Sequence, residues 1–304
     1  MEKCDPGPAQ FKDFPWPPVG EGNHIPVWTG SHFEVGSKRM RVLELAQSES
    51  AWSQELTEMH EREASSSHPI DLASRALAVD SMKLLQGRNQ PVILDVGCSS
   101  GFLVEDLMRS LPQAEVIGAD FILDIVLKGA QRVPNKPFLQ FDLRRCPLPD
   151  ACLDGVTALN VLEHIDDDAV AFAEIHRILK HGGLTHIEVP ANPGNFDFYD
   201  EILLHFRRYR LAELVEKARK SGFVVKKATH LGFFLYPFFK FAKRRNRRVT
   251  QQLTLQEKRK LVAEQIRSTK SSPVLARTFA LERTLGSFVS YPIGIRAVVR
   301  LQKP

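Results

Sequence analysis

An apolar run from Val92 to Val96 stops at Gly97, turns through Cys98, Ser99 and Ser100 to Gly101, and passes into helical spacing at Phe102, Leu103 and Leu107. A strand buried on both faces is apolar throughout rather than alternating, so this order predicts a parallel strand, a glycine-bounded turn and a covering helix. The turn offers backbone N–H groups and the positive end of a helix dipole, and an anionic part of a ligand is expected there. A dinucleotide would call for G-x-G-x-x-G. Counted from Gly97, Ser99 and Phe102 stand where the second and third glycines belong, which disfavours a pyrophosphate. A second apolar run, Val116 to Ala119, ends in Asp120, placed for a carboxylate to accept from both hydroxyls of a ribose. Together the two runs predict a nucleoside that carries a small carboxylate.

The alternation continues in both directions. Strands are expected over 92–96, 115–119, 138–141, 153–159, 183–189 and 223–228, and helices over 101–111, 122–132, 167–180 and 211–221. The fold class that follows is α/β: a doubly wound, mostly parallel sheet with right-handed crossovers and helices on both faces. Residues 294–301 alternate like an edge strand, the antiparallel last strand of that sheet. Ligands of such sheets bind beyond the carboxyl ends of the strands, and Gly97, Asp120, Asp142 and Asn160 all lie at such ends.

Leu-Asp-Val-Gly-Cys-Ser-Ser-Gly (94–101) resembles the first motif of the class I S-adenosylmethionine-dependent methyltransferases. Asp120, Phe141-Asp-Leu143, Leu148 to Val156 and Asn160-Val-Leu-Glu-His164 follow in that family's order, and His-Phe-Arg-Arg-Tyr (205–209) is similar to a stretch of its type 11/12-like branch. Ser99 departs from the glycine usual at its position. The resemblance covers roughly residues 70–230 and 292–304, and implies a seven-stranded Rossmann-like sheet and S-adenosyl-L-methionine as cofactor. It assigns Asp95 to ordering the turn and reaching the methionine ammonium, and the loop of Gly97, Cys98, Ser99 and Gly101 to the amino-acid moiety. Asp120, with Phe121 beside it, goes to the ribose, Asp142 and Leu143 to the adenine, and Asn160 to the methionine portion or the acceptor. His164 is a candidate catalytic base for a hydroxyl acceptor; alternatively it and Glu163 only fix the loop. His205, Arg207, Arg208 and Tyr209 are candidates for closing over the substrate, an arginine meeting an anionic group, or else for an ion-paired helix entrance.

The expected organisation is a Pro-rich N-terminal arm (1–48), helices roofing the cleft (49–90), the cofactor-binding core (91–230), a basic aromatic helical insertion (231–292) and a final core strand (293–304). Six prolines within residues 1–30 argue for an extended or mobile arm, with Trp16 and Trp28 suggesting that part of it packs. In the roof, His60, Glu61, His68 and Arg75 are weighed as substrate contacts against ordinary solvated helix faces. Polar loop 191–201 is a lid candidate. The cysteines at 4, 98, 146 and 152 have neither disulfide nor metal spacing, so a reducing cytoplasm and no metal are expected. Neither a signal segment nor an 18-residue apolar run is seen.

Six of the nine residues Lys240–Arg248 are basic and follow an aromatic stretch, Leu231 to Phe241. That pairing suits peripheral contact with an anionic membrane, or phenylalanines packed beneath helices 254–268 and 273–289; nucleic acid is not favoured without a binding module. The functional expectation is methyl transfer to oxygen or nitrogen of a small molecule, glycan or lipid-linked intermediate. RNA or protein methylation and a non-catalytic cofactor-binding scaffold are the alternatives.

Overall fold

The computed structural model describes residues 11–20, 22–45, 68–249, 254, 256–257, 260 and 272–304. The helix expected near 48–64, with His60 and Glu61, and most of the one expected over 254–268 lie outside the described residues.

Four short strands come first, β1 (Val27–Trp28), β2 (Phe33–Val35), β3 (Lys38–Met40) and β4 (Leu43–Glu44). Helix α1 (Pro69–Met82) leads into β5 (Val92–Val96), α2 (Phe102–Ser110), β6 (Glu115–Asp120), α3 (Leu123–Arg132) and β7 (Phe138–Gln140). Then come β8 (Leu153–Leu159), α4 (Asp168–Ile178), β9 (Leu179–Pro190), α5 (Phe198–Ile202), α6 (Leu211–Lys220), β10 (Val224–Leu231), α7 (Tyr236–Val249), α8 (Pro273–Gly286) and β11 (Arg296–Gln302).

Eight strands form the main sheet in the order β10-β11-β9-β8-β5-β6-β7-β4. From β9 to β4 every pairing is parallel, whereas β11 runs antiparallel to both β9 and β10. The chain order reverses between β5 and β8, so the ends of these two strands open the crevice in which a ligand of a doubly wound sheet sits. One face is packed by α1, α2 and α3 through Met82, Leu103, Leu107 and Val126, the other by α4 and α6 through Phe172, Ile175 and Leu214.

Two expectations are corrected. Strand β11 is not an edge: it is inserted between β9 and β10, and β10 takes the edge. Its alternation came from Arg296 and Arg300, which are only partly exposed, and Arg296 is held there by carboxylates. The Pro-rich segment is likewise not a free arm over its described part. Phe11, Trp16, Trp28 and Phe33 are buried in the core, their rings in tilted and edge contacts, β1 to β3 form a small antiparallel sheet, and β4 adds an eighth strand beside β7. Proline forbids helix without forbidding burial, so aromatic content was the better guide here. In the insertion, α8 packs on α1 through Phe279 and an Arg283–Asp80 ion pair of 2.6 Å. Among the described residues no helix is long and apolar enough to cross a membrane.

Candidate functional site

The loop after β5 is wound left-handed, with φ +68° at Gly97, +48° at Ser99 and +79° at Gly101. A Cβ on Gly97 would lie 2.4 Å from Cγ2 of Val161, which follows β8, so glycine here sets how closely the two strand ends approach. Ser99 adopts the same conformation with a side chain, a strained arrangement that surrounding bonds must hold. Those bonds are present. The amide of Cys98 donates to Ala119 O (2.9 Å), that of Ser99 to Asp120 Oδ2 (3.1 Å) and that of Gly101 to Cys98 O (2.9 Å). Three of the turn's amides are therefore already engaged, and the anion nearest them is the protein's own Asp120, which corrects the expectation of a generally open anion cradle. The Cys98 side chain is buried, its thiol 3.5 Å from Ser99 O within the same loop.

Asp120 closes β6 with one carboxylate oxygen on the Ser99 amide and the other on the Ile122 amide (3.1 Å). It thus clamps the loop and starts α3 at once. Phe121, half-buried, follows it, its carbonyl accepting from Gln140 Nε2 at 3.0 Å. Asp95, near the end of β5, is buried and accepts from Thr157 Oγ1 at 2.7 Å. Burial, with the charge of Asp120 adding to it against the Thr157 bond, pushes its carboxyl up to about 7. Asp142 is bound to Arg144, accepting from its amide (2.9 Å) and from Nη2 (2.8 Å), and Leu143 beside it is buried. Asn160 ends β8 with φ +53°, its amide donating to Glu188 O at 2.8 Å.

Gly97, Asp120, Asp142 and Asn160 therefore stand at the carboxyl ends of β5, β6, β7 and β8, four strands adjacent in the sheet. The second group of candidates is arranged differently. Tyr209 is wholly buried, its hydroxyl donating to Asp168 Oδ2 (2.8 Å) with Leu162 O also within reach at 3.1 Å. Arg208 is buried on Asp200 Oδ1 (2.8 Å) and Arg207 lies 3.2 Å from Asp168. These side chains are committed to internal carboxylates, and the geometry is that of an ion-paired helix entrance rather than of arginines free for an anionic substrate. His205 Nδ1 also contacts Asp200 Oδ1, at 2.9 Å. Although burial opposes it, the His205 bond and the charges of Arg208 and Lys243 hold Asp200 well below the usual carboxylate range. The supposed lid is packed too: Asp197 caps α5 in a capping box with Asp200, and Asp197, Phe198 and Asp200 are buried. Arg75 in α1 is turned to Asp106 at 2.6 Å, and His68 caps the helix 4.0 Å from Asp71.

Glu188, which no motif flagged, and Glu163, expected at most to fix the loop with His164, complete this end of the sheet. Glu188 in β9 is wholly buried, accepting from Ser74 of α1 and from Arg296 Nη1 of β11 (2.8 Å), while Arg296 Nη2 reaches Asp71 at 2.7 Å. Glu163 is wholly buried in the short turn Leu162–His164 that follows β8, and neither of its carboxylate oxygens has a hydrogen-bond partner among the described residues. Burial pushes its carboxyl up to about 8. His164 and His205 stack edge to face beside it with ring centroids 4.7 Å apart. The available signal was a charged residue inside an apolar turn, Val-Leu-Glu-His (161–164), which periodicity alone does not flag.

Comparison with known proteins shows what the chain is similar to. Residues 94–187 match the family described as methyltransferase domain. The demethylmenaquinone methyltransferase of Chlorobaculum tepidum is 31% identical over 146 residues, 48% of this chain and 60% of that protein. The trans-aconitate 2-methyltransferase of an Azoarcus species is 32% identical over 109 residues, 36% of this chain and 40% of that one. The chain thus spans 60% or less of the length of these curated relatives. A solved Haemonchus contortus phosphoethanolamine N-methyltransferase 2, in complex with phosphomonomethylethanolamine and S-adenosylhomocysteine, shares the fold with a TM-score of 0.56 at 16% identity, over 83% of this chain and 58% of that one.

Proposed function

We propose, from the match of residues 94–187 to a methyltransferase domain, that the chain is a class I S-adenosylmethionine-dependent methyltransferase that binds this cofactor across β5 to β8 and transfers its methyl group to oxygen or nitrogen of a small molecule. The observation that carries the reading is the join between Asp120 and the left-handed loop: one carboxylate fixes the Ser99 amide and starts α3. A ribose resting against Asp120 would bring the amino-acid part of the same ligand over Gly97. Asp95 then meets the ammonium, whose positive charge favours the ionised form of a carboxyl that burial otherwise raises. Leu143 borders the adenine. Because Asp142 is paired with Arg144, adenine contact there would fall to the backbone or require that pair to part. Asn160 and the turn 162–164 face the methionine end and the acceptor.

Transfer from a sulfonium is an in-line displacement, so the principal task is to hold the acceptor atom and the methyl carbon aligned at near-attack distance. The cofactor brings its own leaving group and charge; the chain supplies position and, for a hydroxyl acceptor, a route for the proton. Relatives named for demethylmenaquinone and trans-aconitate support a small-molecule acceptor. Titration calorimetry with S-adenosylmethionine, S-adenosylhomocysteine and NAD tests the reading. Micromolar binding of the first two and none of NAD is expected, and binding of NAD alone would overturn it.

A second reading, peripheral contact with an anionic membrane on the cytoplasmic side, is favoured by α7. Phe238 and Phe241 are 74% and 70% exposed on that helix beside exposed Lys240, Arg244 and Arg245. Lys243 does not take part: it is buried, 2.6 Å from Asp197, and anchors α7 on α5. Replacing Phe238 and Phe241 by serine should abolish sedimentation with anionic liposomes; equal sedimentation of variant and parent removes the idea.

A further inference from the structure

We propose that Glu163, His164 and His205 form a divalent transition-metal site at the acceptor end of the cleft, and that the metal's remaining positions take an oxygen-bearing acceptor. The ligating atoms of these three side chains all lie within 4.8 Å of one another. Two imidazoles and one carboxylate are the donor set of an open transition-metal site, three protein ligands leaving positions for substrate.

Two features of the surroundings point the same way. Glu163 is wholly buried without a hydrogen bond to either oxygen among the described residues, so that ionising it there is costly unless a charge meets it. The neighbouring cations are already matched in pairs: Arg208 by Asp200, Lys243 by Asp197, and Arg296 by Glu188 and Asp71. Glu163 has none of them bonded to it, and of the buried carboxylates among the described residues it is the one with both oxygens unbonded. The second feature is His205. Its Nδ1 lies 2.9 Å from Asp200, a carboxylate held by Arg208 and therefore an acceptor, so the ring proton sits on Nδ1 and the lone pair on Nε2. A carboxylate behind a histidine, orienting it through the far nitrogen, is the usual outer support of a metal-binding imidazole. Donor atoms around such a metal stand roughly 3–3.4 Å apart.

The metal deepens the proposed reaction and, for its role in transfer, rests on that reading. A hydroxyl bound to a divalent metal loses its proton to water far more readily than a free one. An oxygen lone pair then forms the bond to the methyl carbon as the carbon–sulfur bond breaks. The electron pair of that bond stays on sulfur, converting the sulfonium to a neutral thioether. No side-chain base is needed, and His164 contributes as a ligand rather than as the proton acceptor.

The test uses the full chain, stripped with a chelator and titrated with Co2+ while its visible absorption is followed, then with Zn2+ as competitor. One Co2+ per chain with ligand-field bands, displaced by Zn2+, is expected. Glu163→Gln and His164→Asn should each weaken binding at least tenfold. His164 is only half-buried, so His164→Asn leaves the internal ion pairs intact and stays informative if Glu163→Gln melts early. Absence of bands at saturating Co2+, or equal affinity in parent and His164→Asn, overturns the site. Calorimetry with S-adenosylhomocysteine on the same proteins keeps the two readings apart: cofactor binding without metal sinks only the metal, and metal binding without cofactor sinks only the cofactor assignment.

Discussion

Asp120→Asn separates a clamp that also binds cofactor from one that merely closes a loop. The substitution preserves shape but replaces one acceptor oxygen by a donor. The remaining oxygen can serve the Ser99 amide or the Ile122 amide, each now 3.1 Å from its own oxygen, but not both. If it stays with Ile122, two N–H donors face each other at Ser99, and the strain stored at φ +48° loses its restraint. The ribose at the same time loses an ionised acceptor. A hydrogen bond to a charged group is worth about 1.5–3 kcal/mol, which predicts roughly 10- to 150-fold weaker cofactor binding. Calorimetry with S-adenosylhomocysteine reads this directly, with Asp120→Ala as the harsher companion. Affinity within threefold of the parent would refute the argument, because the carboxylate would then serve only the loop.

The other expectations concern strain, charge and burial. Gly97→Ala should destabilise the fold by about 2 kcal/mol or more, through its Cβ lying 2.4 Å from Val161 and its positive φ, and adding Val161→Ala should recover part of the loss in a thermal melt. Ser99→Gly, by contrast, should leave stability and affinity almost unchanged, since relief of the left-handed strain offsets glycine's entropy; a large loss would show that the hydroxyl itself acts. The raised Asp95 carboxyl gives the cofactor-free protein stability that is fully present below the unfolded value near pH 4 and is lost as pH rises through about 7. Cofactor affinity should rise over that same upper limb as the carboxylate forms, and Asp95→Asn should flatten the rise in calorimetry at stepped pH. Arg296→Met leaves the buried Glu188 and the half-buried Asp71 without their partner and should destabilise by about 3–5 kcal/mol in denaturant melts; a loss below 1 kcal/mol would mean that the network is not desolvated.

Which parts of this structure were legible follows from what each part is made of. The strands ending at Gly97, Asp120, Asp142 and Asn160 were visible because a fully buried parallel strand must be a continuous apolar run and its exit must tolerate a tight turn. Strand β8 begins and ends at the residues expected, Leu153 and Leu159. The placement of β11 between β9 and β10 was hidden, because Arg296 looks like an outward residue until Glu188 and Asp71, far off in the chain, are seen around it. The N-terminal segment was misleading for a similar reason. The contacts that bury Phe11 and Trp16 lie in other segments, and proline density says nothing about them. At the site itself, acidic residues at strand ends could be read directly, whereas the commitment of Arg208 and Tyr209 to Asp200 and Asp168 is a matter of direction, which spacing along a chain does not carry.

The same contrast bears on where acceptor choice resides. The proposed cofactor half of the cleft is built from one stretch: its loop, strand ends and helix starts come from 92–160, and the bonds that shape them close within it. The proposed acceptor half joins separate stretches, Asp71 and Ser74 of α1 to Arg296 of β11 and Asp197 of α5 to Lys243 of α7. Charges buried in pairs are retained or lost together, because removing one partner strands the other. Grafting residues 191–210 from a relative would therefore unpair Lys243 unless α7 moved with them. A chimera carrying only 191–210 should melt well below one carrying 191–249. Equal melting would mean that the acceptor half is assembled from independent pieces and that its specificity can change one segment at a time.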